Sequence, residues 1–348
     1  MLNSPAHMLQ GLTLDGGWIV SESLQKTYAG TGGNFSVGYL VSKPTGEQGF
    51  LKALDISRAM TSHDPAREIQ YLTEAFNYER DVLEKCREKR LGRVVYAIDS
   101  GKVMVNGFGN FGAVQYLIFE RADGDVRRHL DFSQQFDLAW ILRTLHHIAT
   151  GLKQLHGQGV AHQDVKPSNI LIFDKISSKL ADLGRSATQG VSCPHSHMPL
   201  PGDPNYAPPN QFYGYILNDW SRQRYGSDAY LLGSMIVFFF TGVSMTALIK
   251  RHVVQSQLSS DFARDLPYWI NAFGLAVQDF EHALADKLGD QFKEIREALV
   301  NLVRELCFPD PEKRCDTKSR SAGSLMLERY VSRFDLLARK SEIAMFRG

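Results

Sequence analysis

The sequence predicts an α+β fold in two lobes, in which an antiparallel sheet with one helix precedes a larger helical part. Short runs rich in β-branched and aromatic residues recur as far as about residue 119, and one long helical pattern interrupts them. Beyond that point the apolar residues recur with helical spacing. The chain has 348 residues, enough for one two-lobed domain, and we find no repeat or low-complexity linker that would separate two domains.

The first lobe, at about 15–121, contains the β-rich runs. Candidate strands lie at 18–20, 37–41, 50–54, 94–98 together with 103–105, and 114–119. Pro44-Thr45-Gly46 predicts a hairpin turn between the second and third strands. A helix is predicted at about 64–88, because Asp64-Pro65 combines a capping carboxylate with a proline suited to the first helical position.

The second lobe is predicted at about 122–316, and a helical extension at about 317–348 completes a single domain over 1–348. Helical patterns lie at 138–156, 297–307 and 325–340. The extension either packs on the helical lobe or meets a regulatory partner. The apolar stretch 229–249 is interrupted by small and polar residues, so we expect a buried helix there and not a membrane span.

The charge composition argues against two classes of partner, nucleic acids and anionic membranes. Lys plus Arg is 39 and Asp plus Glu is 38, which gives no argument for nucleic acid or an anionic membrane as the main partner. The four cysteines form no paired spacing, so we expect reduced thiols and a cytoplasmic protein. Cys193, His195 and His197 have side chains that suit zinc, but the sequence offers no evident fourth ligand.

The strongest chemical signal follows the helical pattern at 138–156. It is the segment Ala161-His162-Gln163-Asp164-Val165-Lys166-Pro167-Ser168-Asn169. An Asp and an Asn five residues apart on a loop can divide two tasks, because Asp164 can accept the proton of an attacking hydroxyl while Asn169 holds a metal ion. Lys166 can neutralise a transferring phosphoryl group. An ordinary polar loop explains one or two of these positions but not the whole pattern.

This segment resembles the catalytic loop of the eukaryotic-like protein kinase family, and its Lys-Pro pair resembles the Ser/Thr class. The resemblance extends over about 18–314, and its departures from the family consensus suggest a divergent, prokaryotic member. It implies transfer of the γ-phosphate of Mg-ATP to protein hydroxyls, with autophosphorylation as a further activity. Two alternatives stay open: a pseudokinase that binds without turnover, and a phosphotransferase that acts on small molecules.

The resemblance implies roles for residues elsewhere in the chain. Asp182, in Ala181-Asp182-Leu183-Gly184, matches the metal-binding D-F-G motif and would hold Mg²⁺ together with Asn169. Lys52, in Gly49-Phe50-Leu51-Lys52, matches the lysine that holds the α- and β-phosphates, and Glu79 would pair with it. The implied catalytic set is Asp164, Lys166, Lys52 and Glu79.

Nucleotide-binding positions are implied at two further places. The segment 30–37 resembles the glycine-rich loop, in which Gly30, Gly32 and Gly33 would approach the phosphates, and two registers of the match stay open. Phe119-Glu120-Arg121-Ala122 resembles the hinge, where the Glu120 carbonyl and the Ala122 N–H would meet the adenine edge.

Four positions depart from the family pattern. Gln163 replaces the arginine before the catalytic Asp, so activation-loop phosphorylation should matter less. Asp203 replaces a threonine, and its carboxylate is expected to repel substrate or phosphate. Asn210 replaces a glutamate that pairs with an arginine, here Arg314. Phe50 replaces an alanine that lies against the adenine, so its ring would either stack on the base or fill the pocket.

Asp228 resembles the aspartate that opens the central buried helix and braces the catalytic loop. A helix N-cap is the simpler structural role for the same residue, and the two roles are compatible.

Overall fold

The computed structural model describes residues 4–24, 35–130, 136–255, 265–321 and 327–347. The chain divides into two compact units, Met1–Gly124 and Asp125–Gly348. The first contains an antiparallel sheet and the second is mainly helical, so the predicted α+β fold class is confirmed. The boundary predicted between the lobes is at about residue 121.

The sheet of the first unit has five antiparallel strands in the order β1-β2-β3-β5-β4. These are β1 (Ile19–Leu24), β2 (Ser36–Ser42), β3 (Gln48–Leu54), β4 (Ala97–Met104) and β5 (Ala113–Glu120). The predicted hairpin turn is confirmed, with the Gly46 N–H donating to the Lys43 carbonyl at 2.9 Å. The strand predicted from 94–98 together with 103–105 is β4, which spans Ala97–Met104. Its start was predicted too early, because Val94 and Val95 lie buried ahead of the strand.

Two helices follow β3, namely α1 (Ser57–Met60) and α2 (Pro65–Glu88). The predicted start of α2 is confirmed, since the Asp64 carboxylate accepts a hydrogen bond from the Arg67 N–H at 3.2 Å and Pro65 occupies the first helical position. The capping carboxylate satisfies one of the N–H groups that a helix leaves without an internal partner.

The N-terminal residues before β1 pack on one face of this sheet. Ala6, Leu9, Leu14 and Trp18 are buried and belong to the hydrophobic core of the unit. Their partners are the strand residues Val37, Tyr39, Val41, Leu51, Ala53, Val114, Tyr116 and Ile118. Because side chains alternate along a strand, the opposite face of β3 carries Phe50 and Lys52. The sequence predicts no regular element before residue 15.

The second unit contains nine helices within its described residues. They are α3 (Val126–His129), α4 (Leu138–His156), α5 (Pro209–Phe212), α6 (Trp220–Thr241), α7 (Met245–Gln255), α8 (Leu266–Lys287), α9 (Lys293–Leu306), α10 (Thr317–Ser321) and α11 (Glu328–Arg347). Short strands accompany them: β6 (Gly124–Asp125), β7 (Val160–Ala161), β8 (Ile170–Phe173), β9 (Ser177–Leu180) and β10 (Ala187–Thr188). β8 and β9 form an antiparallel hairpin, and β7 pairs with β10. These short strands frame the polar segment at 161–169.

Helix α6 is buried along most of its length. The expectation of one helix over 229–249 is corrected, because α6 ends at Thr241 and α7 starts at Met245. No single helix in the described ranges is long and apolar enough to span a membrane. Only α6 and α7 taken together satisfy that test of length and composition, and they are bent by 83°.

The C-terminal helix α11 packs on α4. Tyr330, Phe334 and Ala338 are buried on its inner face. The Arg143 guanidinium on α4 binds the carboxylates of Asp335 at 2.8 Å and Glu342 at 2.6 Å. Of the two alternatives for the extension, the structure shows packing on the helical unit.

Candidate active site

In the first unit, Lys52 and Glu79 form an ion pair. The Lys52 ammonium on β3 donates to both Glu79 carboxylate oxygens on α2, each at 2.8 Å. Glu79 lies on the same helix face as the buried Phe76 and Leu83, one turn away on either side, so the face that packs on the sheet also carries the carboxylate. With Glu79 only 5% exposed, the pair fixes the position of a long and otherwise flexible lysine side chain.

In the second unit, Asp164, Lys166 and Asn169 lie together and are buried. The Lys166 ammonium is 2.9 Å from Asp164 Oδ2. The Asn169 amide nitrogen donates to the Asp164 carbonyl at 2.8 Å and to its Oδ2 at 3.0 Å. Burial raises the pKa of Asp164, and the neighbouring Lys166 ammonium opposes part of that rise. A carboxylate with a raised pKa is a better proton acceptor.

The other Asp164 oxygen binds the segment that passes in front of it. Asp164 Oδ1 accepts the Asp203 backbone N–H at 2.8 Å. This contact depends on Gly202, because a Cβ at that position would lie 2.3 Å from the Gln163 carbonyl oxygen and 3.1 Å from Asp164 Oδ1. Glycine therefore allows the two backbone segments to touch.

Asp203 is the second carboxylate beside Lys166. Its Oδ2 lies 3.7 Å from the Lys166 ammonium, and its Oδ1 accepts the Asn205 backbone N–H at 2.9 Å. The Asp203 carboxylate thus caps the turn that follows it and shares Lys166 with Asp164. The expectation that it repels substrate or phosphate stays a prediction.

Asp228 on α6 holds the backbone of the segment at 161–169. Its Oδ2 accepts the His162 N–H at 2.8 Å, and its Oδ1 accepts the Gln163 N–H at 2.7 Å. It does not open the helix as expected: α6 begins at Trp220, capped by the Asp219 carboxylate through the Arg222 N–H at 2.7 Å. The apolar run that starts at Ala229 suggested a later start, whereas the polar first two turns are helical as well.

Gln163 is tied to α6 through its side chain. Its amide nitrogen donates to the Arg224 carbonyl at 2.8 Å, and its oxygen accepts the Arg224 guanidinium at 3.3 Å. Arg224 in turn donates to the Ser196 carbonyl at 3.5 Å. Gln163 also has a left-handed backbone, with φ at 66°, a strained conformation for a residue with a side chain. Gln163, which replaces the arginine of the family pattern, therefore links the segment at 161–169 to α6. Through Arg224 it is also linked to residue 196.

Asp182 follows β9 and has a left-handed backbone as well, with φ at 63° and ψ at 74°. The Ala181 N–H just before it donates to the Asn169 carbonyl at 2.9 Å, and Leu183 just after it is fully buried. The Asp182 charge also contributes to the raised pKa of Asp164. A carboxylate and an amide oxygen are the hard ligands that Mg²⁺ prefers, so Asp182 and Asn169 fit that ion chemically.

The cysteine and histidines that suit zinc are engaged in other contacts. Cys193 is buried, and its sulfur accepts the Thr188 N–H at 3.3 Å. His195 Nδ1 lies 3.0 Å from the Arg185 guanidinium, and burial together with that cation lowers the pKa of His195 to about 4. Within the described ranges, no three His, Cys, Asp or Glu side chains are grouped so that they could hold a metal ion.

Arg314 keeps a partner at position 210. The fully buried guanidinium donates to the Asn210 side-chain oxygen at 2.9 Å and to the Gly226 carbonyl at 3.0 Å. Burial lowers the pKa of Arg314. In the part of the chain that the structure describes, no carboxylate lies within ion-pair distance of it, so neutral acceptors replace the glutamate of the family pattern.

Phe50 lies beside Lys52 on the same face of β3. Its ring is 6.4 Å from that of Phe119, centroid to centroid, and a Cβ at Gly38 would come within 2.9 Å of it. The ring therefore occupies the space beside Gly38 on β2. Whether a base stacks on it stays a prediction.

Glu120 ends β5, and Ala122 lies in the loop that follows, both partly buried. The predicted phosphate-binding residues Gly30, Gly32 and Gly33 lie outside the described residues.

His156 was not singled out from the sequence, although it takes part in this site. Its Nε2 lies 2.8 Å from Asp228 Oδ2, and its ring stacks on Tyr225 at 3.9 Å. His156 is the last residue of α4, and no motif spacing in the sequence singles it out. The one available signal was its position six residues before His162.

Comparisons with known proteins agree with this geometry. A family model described as the protein kinase domain matches residues 25–325. The chain is 24% identical over 298 residues to the hormonally up-regulated neu tumor-associated kinase of Mus musculus, which covers 83% of this chain and 34% of that protein. It is 33% identical over 129 residues to the serine/threonine-protein kinase PLK4 of Xenopus laevis, covering 36% of this chain and 13% of that protein.

A third relative is cyclin-dependent kinase-like 2 of Mus musculus, 24% identical over 217 residues, which is 57% of this chain and 35% of that protein. The chain thus spans about a third of the length of the two mouse relatives. Because the family model matches most of the chain, this protein belongs to the protein kinase family.

Proposed function

We propose that this protein is a Ser/Thr kinase that transfers the γ-phosphate of Mg-ATP to protein hydroxyls, its own included. The observation that carries the proposal is the buried cluster in which Lys166 and Asn169 both hold the Asp164 carboxylate. The Xenopus laevis relative is named a serine/threonine-protein kinase, which supports this class. The Lys-Pro pair at Lys166-Pro167 supports it as well.

Each side chain then has a defined task. Asp164 orients the substrate hydroxyl and accepts its proton, a task that its raised pKa favours. Lys166 neutralises charge on the transferring phosphoryl group, and Lys52, fixed by Glu79, holds the phosphates of the nucleotide. Asn169 and Asp182 hold Mg²⁺, which neutralises phosphate charge when it is bound. The Glu120 carbonyl and the Ala122 N–H bind the adenine edge, and Gly30, Gly32 and Gly33 bind the phosphates.

A pseudokinase is the second candidate, and two observations favour it. The Asp203 carboxylate lies 3.7 Å from the Lys166 ammonium. It therefore neutralises part of the positive charge with which Lys166 would stabilise a transferring phosphoryl group. The Phe50 ring occupies the space beside Gly38 on the face of β3 that carries Lys52. If that ring excludes a base, nucleotide binding fails before any chemistry.

Transfer of labelled γ-phosphate from Mg-ATP separates these functions. The protein itself and a generic basic protein serve as acceptors, beside Asp164→Asn and Asp182→Asn variants. The matched control is Asp81→Asn, which makes the same change at an exposed carboxylate on α2. We expect label with the native protein and with Asp81→Asn, none with the other two variants, and phosphoserine or phosphothreonine on acid hydrolysis.

Other results would change the assignment. No label in any sample, with no Mg-ATP binding by calorimetry, would favour the pseudokinase. Label on small alcohols but on no protein would favour a small-molecule phosphotransferase.

A further inference from the structure

An open cavity of about 450 Å³ lies in the second unit, apart from the residues discussed so far. Its walls come from α9, from the segment between α9 and α10, from α10 itself and from α11. The charged side chains that line it are Arg304, Lys313, Arg320, Arg333, Glu305 and Asp316.

The charge of this lining is net positive. Four cationic and two anionic side chains give the cavity a net charge of +2, whereas the whole chain has a formal net charge of +1. The lining therefore carries a modest excess of positive charge on a protein that is near neutral. A concave surface of one sign raises the local concentration of ions of the other sign.

The two carboxylates already have partners. Glu305 binds the Arg333 guanidinium at 2.5 Å. Asp316 accepts the Ser319 hydroxyl at 2.5 Å and the Lys318 N–H at 3.0 Å. Both carboxylates are thus neutralised or hydrogen-bonded within the protein, and neither is directed at the cations considered next.

Arg320, Arg304 and Lys313 have N–H groups that are not used in short ion pairs within the described part of the protein. Arg320 donates to the Lys313 carbonyl and, at 3.2 Å, to the Thr317 hydroxyl; among the described residues no carboxylate is within ion-pair distance of it. Arg304 reaches Glu281 only at 3.5 Å, and the Lys313 ammonium is 3.8 Å from Asp310. These are long contacts for charged groups, which prefer about 2.7–2.9 Å.

We propose that this cavity binds a phosphate group, either as inorganic phosphate or as the monoester of a small metabolite. Arginine presents a planar fork of N–H donors that matches the oxygens of a phosphate, and Arg304 and Arg320 supply two such forks. Asn301 and Thr317 add neutral polar groups to the same lining. The volume exceeds that of a bare phosphate, which leaves room for the organic part of a monoester.

The thiol that lines the cavity does not oppose an anion. Cys315 is buried, and desolvation raises its pKa to about 12, so it stays neutral at physiological pH. The preceding residue, Arg314, points inward and is fully buried, so it belongs to the core and not to this surface.

Isothermal calorimetry and thermal unfolding without nucleotide test the proposal on the full chain. The probes are inorganic phosphate and glycerol 2-phosphate, each compared with sodium chloride at equal ionic strength. We expect saturable binding and a rise in melting temperature that chloride does not reproduce. The tighter of the two probes identifies whether free phosphate or a monoester is the better ligand.

The variant Arg304→Gln/Arg320→Gln keeps polar side chains and removes two charges. We expect it to weaken binding at least about tenfold, because each lost charge-assisted hydrogen bond is worth at least that factor. The matched control Arg339→Gln removes an exposed arginine of α11 outside the cavity and should bind as the native protein does. Lys313→Gln provides a single-site test should the double variant fold poorly.

Equal binding by the native and double-variant proteins would overturn the proposal, as would an effect no larger than that of chloride. None of these measurements involves ATP or phosphoryl transfer. Failure here therefore leaves the proposed kinase function untouched, and absence of kinase activity leaves this cavity untouched.

Discussion

At the scale of single residues, Asp164 depends on neighbours that have no catalytic chemistry of their own. Gly202 allows the backbone at 202–203 to contact the backbone at 163–164, and the Asp203 N–H then donates to Asp164 Oδ1. Asp228 holds the backbone on the other side. The orientation of the carboxylate is therefore set from both sides by buried contacts.

Gly202→Ala should abolish most phosphoryl transfer and leave the fold largely intact. The new methyl group would lie 2.3 Å from the Gln163 carbonyl oxygen, so one of the two segments must shift and the Asp203 contact with Asp164 is lost. A misplacement of about 1 Å in a catalytic group costs on the order of 10²-fold in rate. The rate of γ-phosphate transfer, measured beside the circular dichroism spectrum, checks this.

Gly274→Ala is the matched control, because the same methyl group on α8 meets no atom within 4 Å. It should keep full activity and gain slightly in stability, as alanine is the better helix former. Full activity of Gly202→Ala would show that the contact between the segments is dispensable.

Spacing along one loop was sufficient to propose Asp164, Lys166 and Asn169 as neighbours. Asp182, which follows β9, was placed with them only by the resemblance to the kinase family. The position of Asp228 within α6 was not predictable, since the polar start of that helix resembles a loop. His156 was missed because its partner Asp228 is 72 residues away in sequence.

At the scale of elements, the N-terminal segment shows what periodicity fails to detect. Residues 4–18 contain two short 3₁₀ turns, at Pro5–His7 and Asp15–Gly17, and no regular helix or strand. Its anchors are single apolar side chains together with scattered hydrogen bonds. The Tyr39 hydroxyl donates to the Ala6 carbonyl at 2.7 Å, and the Trp18 indole N–H donates to the Asp99 carboxylate at 3.2 Å. An irregular segment of this kind has no repeat for a pattern search to find.

Leu9→Ala should destabilise the first unit by about 2–5 kcal/mol, the usual cost of removing a fully buried leucine side chain. Leu9 is 0% exposed, whereas its neighbour Met8 is 48% exposed. Met8→Ala is therefore the matched control and should change stability by less than about 0.5 kcal/mol. Chemical denaturation followed by tryptophan fluorescence measures both. Equal effects would mean that the segment is only loosely attached in solution.

The regular elements were predictable because their signals are local. The cap and proline at Asp64-Pro65 fix the start of α2, and apolar spacing outlines α4. The start of β4 was predicted too early, because Val94 and Val95 are apolar whereas the middle of the strand itself is polar and only partly buried. Backbone pairing with β5 stabilises this strand, although its side chains give little apolar pattern.

At the scale of the whole molecule, the near-zero net charge means that general charge repulsion contributes little at neutral pH. The pH dependence of unfolding is then set by individual buried groups. His195 is the clearest, since its pKa falls to about 4 in the folded protein. The groups that act on it are Arg185, His197 and Asp182.

Stability should fall as the pH drops from about 6.5 to about 4. In that window the unfolded chain binds a proton at His195 and the folded chain does not, so acid favours unfolding. The full effect is roughly 3 kcal/mol. Urea unfolding at a series of pH values measures the slope.

His195→Gln keeps a hydrogen-bond acceptor for Arg185 and should flatten this part of the curve. His197→Gln, at an exposed position two residues on, should leave it unchanged. An identical slope for the native protein and His195→Gln would assign the pH dependence to other groups.

Two of the four free cysteines can report which of the two units unfolds first, because each unit contains one of them in a buried position. Cys86 lies in the first unit and Cys307 in the second, and both are buried. Burial raises the pKa of Cys86 to about 12 and raises that of Cys307 as well, so neither thiol reacts readily while its surroundings are closed. A thiol-reactive tag added for increasing times, followed by peptide mass spectrometry, would therefore time the opening of each unit separately, without an engineered cysteine.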